Sequence, residues 1–188
     1  MAHSEPEIWP AAGEAADLVE SGMCVGLGTG RAASMFVRAL AKRVQSGLEI
    51  RGVPTSKKTE ALAKDLAIPL VDFDEVDCVD IDVDGADEVS PSLDLVKGHG
   101  GALLRERIVA SISKRFIILV GEEKLVEQLG TRVPLPVEVL PFGVSVARRK
   151  LGSMGREIAL KKEGGKAYLT DNGNLILNVS FDCIPNPA

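Results

Sequence analysis

The chain has 188 residues, of which 45% are hydrophobic and 26% charged, with a net charge of -5. That length suits one domain or one domain plus a small appendage, and the apolar share is enough for a real core, which excludes disorder. A mildly acidic balance excludes any general attraction to nucleic acid or an anionic membrane, but a local cluster of donors can still bind a phosphorylated metabolite.

Pro10 precedes an alanine-rich helical stretch, Ala11 to Val19, where proline suits the first turn. Met23 to Leu27 reads as a buried strand, Gly28-Thr29-Gly30 as a turn, and Arg31 to Val44 as a helix through Met35, Phe36, Ala39 and Leu40. The pattern repeats. Glu49 to Val53 is a strand, Thr55-Ser56 offers an N-cap, and Lys57 to Leu66 is a helix. Ile68 to Val71 and Cys78 to Val83 read as strands, and Leu93 to Lys97 as extended. A glycine loop at Gly98, Gly100 and Gly101 leads into a helix over Ala102 to Ile112. Arg115 to Val120 reads as a strong central strand and Glu122 to Leu129 as a short helix.

Strands alternating with helices imply an α/β fold, a Rossmann-like and mostly parallel sheet that binds ligands at its carboxyl ends. After Gly130 the texture changes, with Pro134, Pro136 and Pro141 punctuating the chain. Val137 to Leu140 reads as a strand and Val144 to Met154 as a helix. Ala167 to Thr170 and Leu175 to Val179 read as strands of one hairpin through Asp171-Asn172-Gly173-Asn174. The expected organisation is a catalytic domain over 1–129 and a smaller α+β domain over 130–188.

Cys24, Cys78 and Cys183 are too few and too widely spaced for a disulfide framework, and Cys24 and Cys78 sit in apolar runs as buried small hydrophobes. Met1 to Pro10 lacks a basic region followed by an apolar stretch, and no run approaches the ~20 apolar residues that span a bilayer. The expected compartment is a reducing cytoplasm.

Three segments carry chemistry. Gly26-Leu-Gly-Thr-Gly-Arg-Ala-Ala33 opens a helix after a strand, where unpaired N–H groups favour an anion and Arg31 adds a charged donor. A purely structural turn explains it as well. The spacing Gly28, Gly30, Ala33 also fits a dinucleotide loop, but that loop needs an acid at the end of the second strand, which here reads Val53-Pro54-Thr55-Ser56. Asp82-Val-Asp-Gly-Ala-Asp-Glu88 crowds four acids at a strand end. It reads as a divalent metal site, as carboxylates handling hydroxyl protons, or as a solvated turn; as a calcium loop its glycine comes too early. Lys97-Gly-His-Gly-Gly-Ala-Leu-Leu-Arg-Glu106 puts a lysine before the glycine loop and a glutamate in the next helix. By itself Glu106 reads as a surface helix residue, and His99 as a solvated loop histidine.

Together, Gly28-Thr29-Gly30, Thr55-Ser56, Asp84-Gly85-Ala86-Asp87-Glu88, Lys97-Gly98, Gly100-Gly101-Ala102-Leu103, Arg105-Glu106, Pro134-Leu-Pro-Val-Glu-Val139 and Thr170-Asp-Asn-Gly-Asn174 resemble the A-type ribose-5-phosphate isomerases. Order and spacing hold from about residue 11 to 187. The resemblance implies a metal-free aldose–ketose isomerase that interconverts ribose 5-phosphate and ribulose 5-phosphate through a cis-enediolate, with no cofactor and a dimeric or tetrameric assembly. It implies that Glu106 is the base. Lys97 and the loop of Gly98, His99, Gly100 and Gly101 would stabilise the oxyanion. Asp84 and Asp87, with Gly85 and Ala86 between them, would contact sugar hydroxyls and assist ring opening. Thr29, Gly30, Arg31, Ala32 and Lys124 would bind substrate, its phosphate near the helix start.

Three departures from the family stand out. Arg31-Ala32 replaces Ser-Thr, losing two hydroxyls and gaining a guanidinium suited to phosphate. His99 replaces glycine, so a side chain is expected near the site while its backbone N–H stays available. The chain stops at Ala188, where the family continues for several dozen residues. A non-catalytic sugar-phosphate sensor is the alternative, disfavoured because binding needs no general base.

Overall fold

The computed structural model describes residues 9–187. The reading of Met1 to Pro10 therefore falls largely outside the described residues, as does Ala188. In chain order the elements are α1 (Pro10–Asp17), β1 (Cys24–Leu27), α2 (Arg31–Gln45), β2 (Arg51–Pro54), α3 (Lys57–Asp65), β3 (Ile81–Gly85), β4 (Glu88–Val89), β5 (Leu95–Val96), α4 (Leu103–Ser111), β6 (Phe116–Leu119), β7 (Leu135–Val139), α5 (Val144–Leu151), β8 (Glu157–Leu160), β9 (Lys162–Glu163), β10 (Lys166–Ala167) and β11 (Leu175–Ser180). No helix among them is long and apolar enough to cross a membrane. Two compact units divide the chain. The first runs through Gly85 and adds Arg105–Leu119; the second takes Ala86–Leu104 and everything from Val120 onward. The segment from residue 130 lies wholly in the second unit, together with 86–104 and 120–129.

The first unit is α/β. Its sheet has the order β2-β1-β3-β6, parallel throughout. Val25, Leu27, Ile81 and Val83 project to one face and pack with Phe36, Val37 and Leu40 of α2, Ala12, Ala15 and Ala16 of α1, and Ala63 of α3. Cys24, Val53 and Val79 belong to the other face, where Val109 of α4 covers them. Pro10 opens α1, and Ser56 caps α3 by accepting from the Thr59 N–H.

Strand order reverses between β1 and β3, and that is where an open parallel sheet leaves a crevice at its carboxyl ends. Gly26 pairs in register with Asp82. A Cβ on Gly26 would stand 2.4 Å from Asp82 Oδ1, and one on Gly28 would stand 2.4 Å from Asp84 Oδ1. The two glycines thus make a bare strip along β1 and the residue that follows it, and the two carboxylates of β3 lie over it, both at 0% exposure.

Three expectations change in this unit. Ile68 to Val71 makes only a single parallel bridge, Gly52 to Leu70. Pro69 has no N–H to give, so it accepts from Gly52 and the ladder stops. The apolar run at 115–120 is not central: β6 lies at the sheet's edge, and Phe116 is exposed. Cys78 is half-buried rather than buried, and all three cysteines are free.

The second unit is built on small antiparallel sheets: β7-β11-β8, β9-β10 and β4-β5. The hairpin expected around Asp171 to Asn174 is a turn without a hairpin. Gly173 N–H donates to Thr170 O and Thr170 N–H to Asn174 O. However, Ala167 pairs with Lys162 across Gly164-Gly165, while β11 sits between β7 and β8. Both glycines have positive φ, as a two-residue hairpin turn requires. β11 carries the buried Ile176, Leu177 and Val179, so it takes the central place. The helix expected over 122–129 shrinks to a 3₁₀ turn, Glu122–Lys124, because Val126 N–H is drawn to Val89 O of β4.

Gly26→Ala is expected to lower unfolding stability by about 2–4 kcal/mol, since a methyl group overlaps a buried carboxylate. Gly13→Ala in α1, with nothing within 4 Å of its Cβ, is expected to raise stability by about 0.5–1 kcal/mol. Urea unfolding of both variants checks the pair of opposite signs.

Candidate active site

In the first unit the site residues gather at the ends of β1 and β3 and on α4. Asp84 Oδ1 accepts from Thr29 N–H (3.0 Å) and Gly85 N–H (2.8 Å). These two bonds offset the cost of burying a carboxylate and tie the β1 turn to the β3 end. Thr29 Oγ1 lies 2.8 Å from Thr55 Oγ1 and donates to Ser56 Oγ at 2.8 Å. Thr55 and Thr59 hydroxyls donate in turn to Leu27 O and Gly28 O. Thr29, expected to bind substrate, therefore has both its N–H and its hydroxyl engaged inside this unit. Gly30, at φ +108°, caps α2 without a side-chain bond, and Arg31 stands exposed at the first position of the helix. Ala32 lies beside Gly85.

Glu106 is not a surface residue. It is 4% exposed, on the same side of α4 as Val109 one turn later. Val109 packs on the sheet face that bears Cys24, and by the alternation of the strand Gly26 and Gly28 project to that face too. Asp82, Asp84 and Glu106 thus belong to one side of the sheet.

In the second unit the acids of the 82–88 segment part company. Asp87 Oδ2 accepts from His99 N–H at 3.0 Å. Glu88, at 0% exposure, takes the amides of Gly130, Arg132 (2.7 Å) and Val133 (3.0 Å), so it organises a loop rather than a ligand. Among the described residues, no three His, Cys, Asp or Glu side chains converge as a metal site. Lys97 and Ala86 are half-buried, as is Lys124 at the end of its 3₁₀ turn.

The glycine loop corrects two expectations about His99. Its N–H is not available, being given to Asp87. Its ring is not solvated either: Nε2 lies 2.8 Å from Pro134 O. His99 O accepts from Lys161 Nζ, and Gly101 N–H donates to Gly98 O. Gly98 and Gly101 have φ of +109° and +88°, and a Cβ on Gly101 would meet Tyr168 Oη. Lys161 Nζ also sits 4.5 Å from the Tyr168 ring centre. Burial pushes the Lys161 ammonium below the ordinary lysine range, against the opposing pull of Asp87 and Glu163, and burial pushes the Tyr168 phenol up. Neither Lys161 nor Tyr168 stands out as a site residue in the sequence, and Pro134 stands out there only as a punctuating proline and the start of a family motif. Lys161 opens a charged run, Lys-Lys-Glu, that reads as a solvated face, and no local pattern marks it.

The family motifs of the small sheets also meet. Glu138 of β7 accepts from Thr170 Oγ1 (2.8 Å), Asn172 Nδ2 (3.2 Å) and Asn174 Nδ2 (2.9 Å). Those three donors fix the Thr170 to Asn174 turn against the strand.

Known proteins are similar to this chain in sequence and in fold. The sequence profile of ribose 5-phosphate isomerase A (phosphoriboisomerase A) matches residues 51–188. The chain is 49% identical over 177 residues to the ribose-5-phosphate isomerase A of Sphingopyxis alaskensis, covering 94% of this chain and 77% of that one. It is 51% identical over 179 residues to that of Gloeobacter violaceus, covering 95% and 78%. A D-ribose-5-phosphate isomerase solved in complex with phospho-erythronic acid superposes with a TM-score of 0.90 at 39% identity, over 94% of this chain and 79% of the other. The isomerase of Methanocaldococcus jannaschii gives 0.88 at 43% identity, over 93% and 79%. Sequence, fold and motif order agree, and the chain belongs to the ribose 5-phosphate isomerase A family.

Proposed function

We propose that this protein is an aldose–ketose isomerase that interconverts D-ribose 5-phosphate and D-ribulose 5-phosphate in the non-oxidative pentose phosphate pathway. The observation that carries the reading is Glu106, a carboxylate held at 4% exposure on a helix that would bury an apolar residue there more cheaply. Kinship supports it, including a relative solved with phospho-erythronic acid.

The reaction moves one carbon-bound proton and one hydroxyl proton. Asp84 and Asp87 take part in opening the sugar ring, which frees the C1 carbonyl. Glu106 removes the proton from C2 of the open-chain aldose; electrons flow onto O1 and a cis-enediolate forms. The proton of the C2 hydroxyl is lost as O1 gains one, and Glu106 returns its proton to C1, leaving the ketone at C2. The oxyanion needs donors throughout. Lys97 supplies a charge, and the loop supplies the amides of Gly98 and Gly100, since those of His99 and Gly101 are already given.

Arg31 at the start of α2 is the phosphate residue in this reading, aided by the helix's first N–H groups. Gly30 and Ala32 let the phosphate approach the backbone. Thr29 acts by holding the turn, and Lys124 as a second cation. The protein works without metal or organic cofactor, in the cytoplasm, and free cysteines suit that compartment. Assembly into a dimer or tetramer completes the reading; exposed Leu140, Phe142 and Met154 offer apolar surface for it.

Glu106→Gln is expected to lower kcat for ribose 5-phosphate by about 10²–10⁴-fold with sugar-phosphate binding retained; retained turnover sinks the assignment. Arg31→Ala is expected to raise KM roughly 10-fold with little change in kcat, as loss of a charged hydrogen bond does. An effect on kcat alone contradicts the phosphate role. EDTA treatment should leave the rate unchanged, and a rate lost to chelator and restored by a divalent ion would revive the metal reading.

A further inference from the structure

His99 stands in the Gly98–Gly101 loop, and its side chain is used as an anchor. A carbonyl can only accept, so Nε2 carries the proton and donates to Pro134 O at 2.8 Å. The main chain of the same residue is held on both sides, its N–H by Asp87 and its C=O by Lys161. One residue is thus fixed by three separate segments of the second unit. Tyr168 backs the arrangement, with its hydroxyl against Gly101 and its ring 4.5 Å from the Lys161 ammonium.

Taking a lysine partly out of water to hold one loop carbonyl is costly. A loop that only had to reverse the chain would not need it. We propose that Lys161 and His99 are positioning residues that lock the Gly98–Gly101 loop in its working conformation before substrate arrives. This rests on the reading of that loop as the oxyanion-stabilising element. Donors already aimed at the developing charge cost no reorganisation during reaction, whereas donors that must first be ordered lower kcat.

Two variants and one control test this. Lys161→Met keeps the apolar stem and removes the donor, Lys161→Arg keeps a charged donor, and His99→Ala removes the ring anchor. Steady-state kinetics with ribose 5-phosphate and backbone hydrogen exchange over residues 97–103 are measured on each, with thermal midpoints to verify folding. Lys161→Met and His99→Ala are expected to speed exchange in that segment and to lower kcat about 10-fold while KM stays within about two-fold. Lys161→Arg is expected to recover most of both losses. Unchanged exchange would show that no lock exists. Faster exchange with unchanged kcat would show a lock that does not serve the reaction; either result overturns the proposal. If Lys161→Met does not fold, His99→Ala is judged by the same two readouts. Wild-type protein that turns over no ribose 5-phosphate would defeat the isomerase reading, and with it the lock's catalytic purpose, while the exchange data would still decide whether the lock is there.

Discussion

Much of the first unit depends on a strip without side chains, in β1 and just past its end. Gly26 and Gly28 leave the space into which Asp82 and Asp84 fold, and no larger residue fits without overlapping a carboxylate oxygen. Two buried acids on neighbouring positions of one strand face would ordinarily be destabilising. Here Asp84 draws on the amides of Thr29 and Gly85, so the carboxylate that needs stabilising also fixes the turn that begins α2. The spacing Gly-x-Gly, which alone suggests a nucleotide loop, answers the spacing Asp-x-Asp on the adjacent strand.

Crowding of acids in the 82–88 segment is relieved by geometry. The chain passes from the first compact unit to the second after Gly85, the last residue of β3. Asp82 and Asp84 stay on the sheet, Asp87 takes the His99 amide, and Glu88 is consumed by three amides of the 130–133 loop. A run that reads as one acidic cluster is therefore a set of acids with separate surroundings. Only some of them are left for chemistry.

The glycine loop follows the same logic from the other side. Its glycines supply positive φ and let Tyr168 close in, but they also make the loop entropically expensive to order. The bonds from Asp87, Lys161 and His99 to Pro134 offset that cost. The His99 side chain acts as an anchor rather than an obstruction, because the ring turns to the main-chain carbonyl of Pro134.

The sequence by itself determined the parallel α/β half, the caps, the turns and the set of candidate residues. These are local: hydrophobic periodicity, proline at the start of α1, the hydroxyl of Ser56, the Asp-Asn-Gly turn and the order of motifs act over a few residues, so they are visible in the string. Tertiary structure alone decided which strands pair. The turn at Thr170–Asn174 is encoded locally, yet β11 pairs with β7 and β8 because the central place of a sheet goes to the strand with buried residues on it. It also decided burial. Glu106 looks like its neighbours Arg105 and Arg107 in the sequence, and only the packing of Val109 on the sheet turns that side of α4 inward. The same holds for Lys161, whose role comes from a carbonyl 62 residues away in the chain. Contacts at such separation leave no trace in local composition.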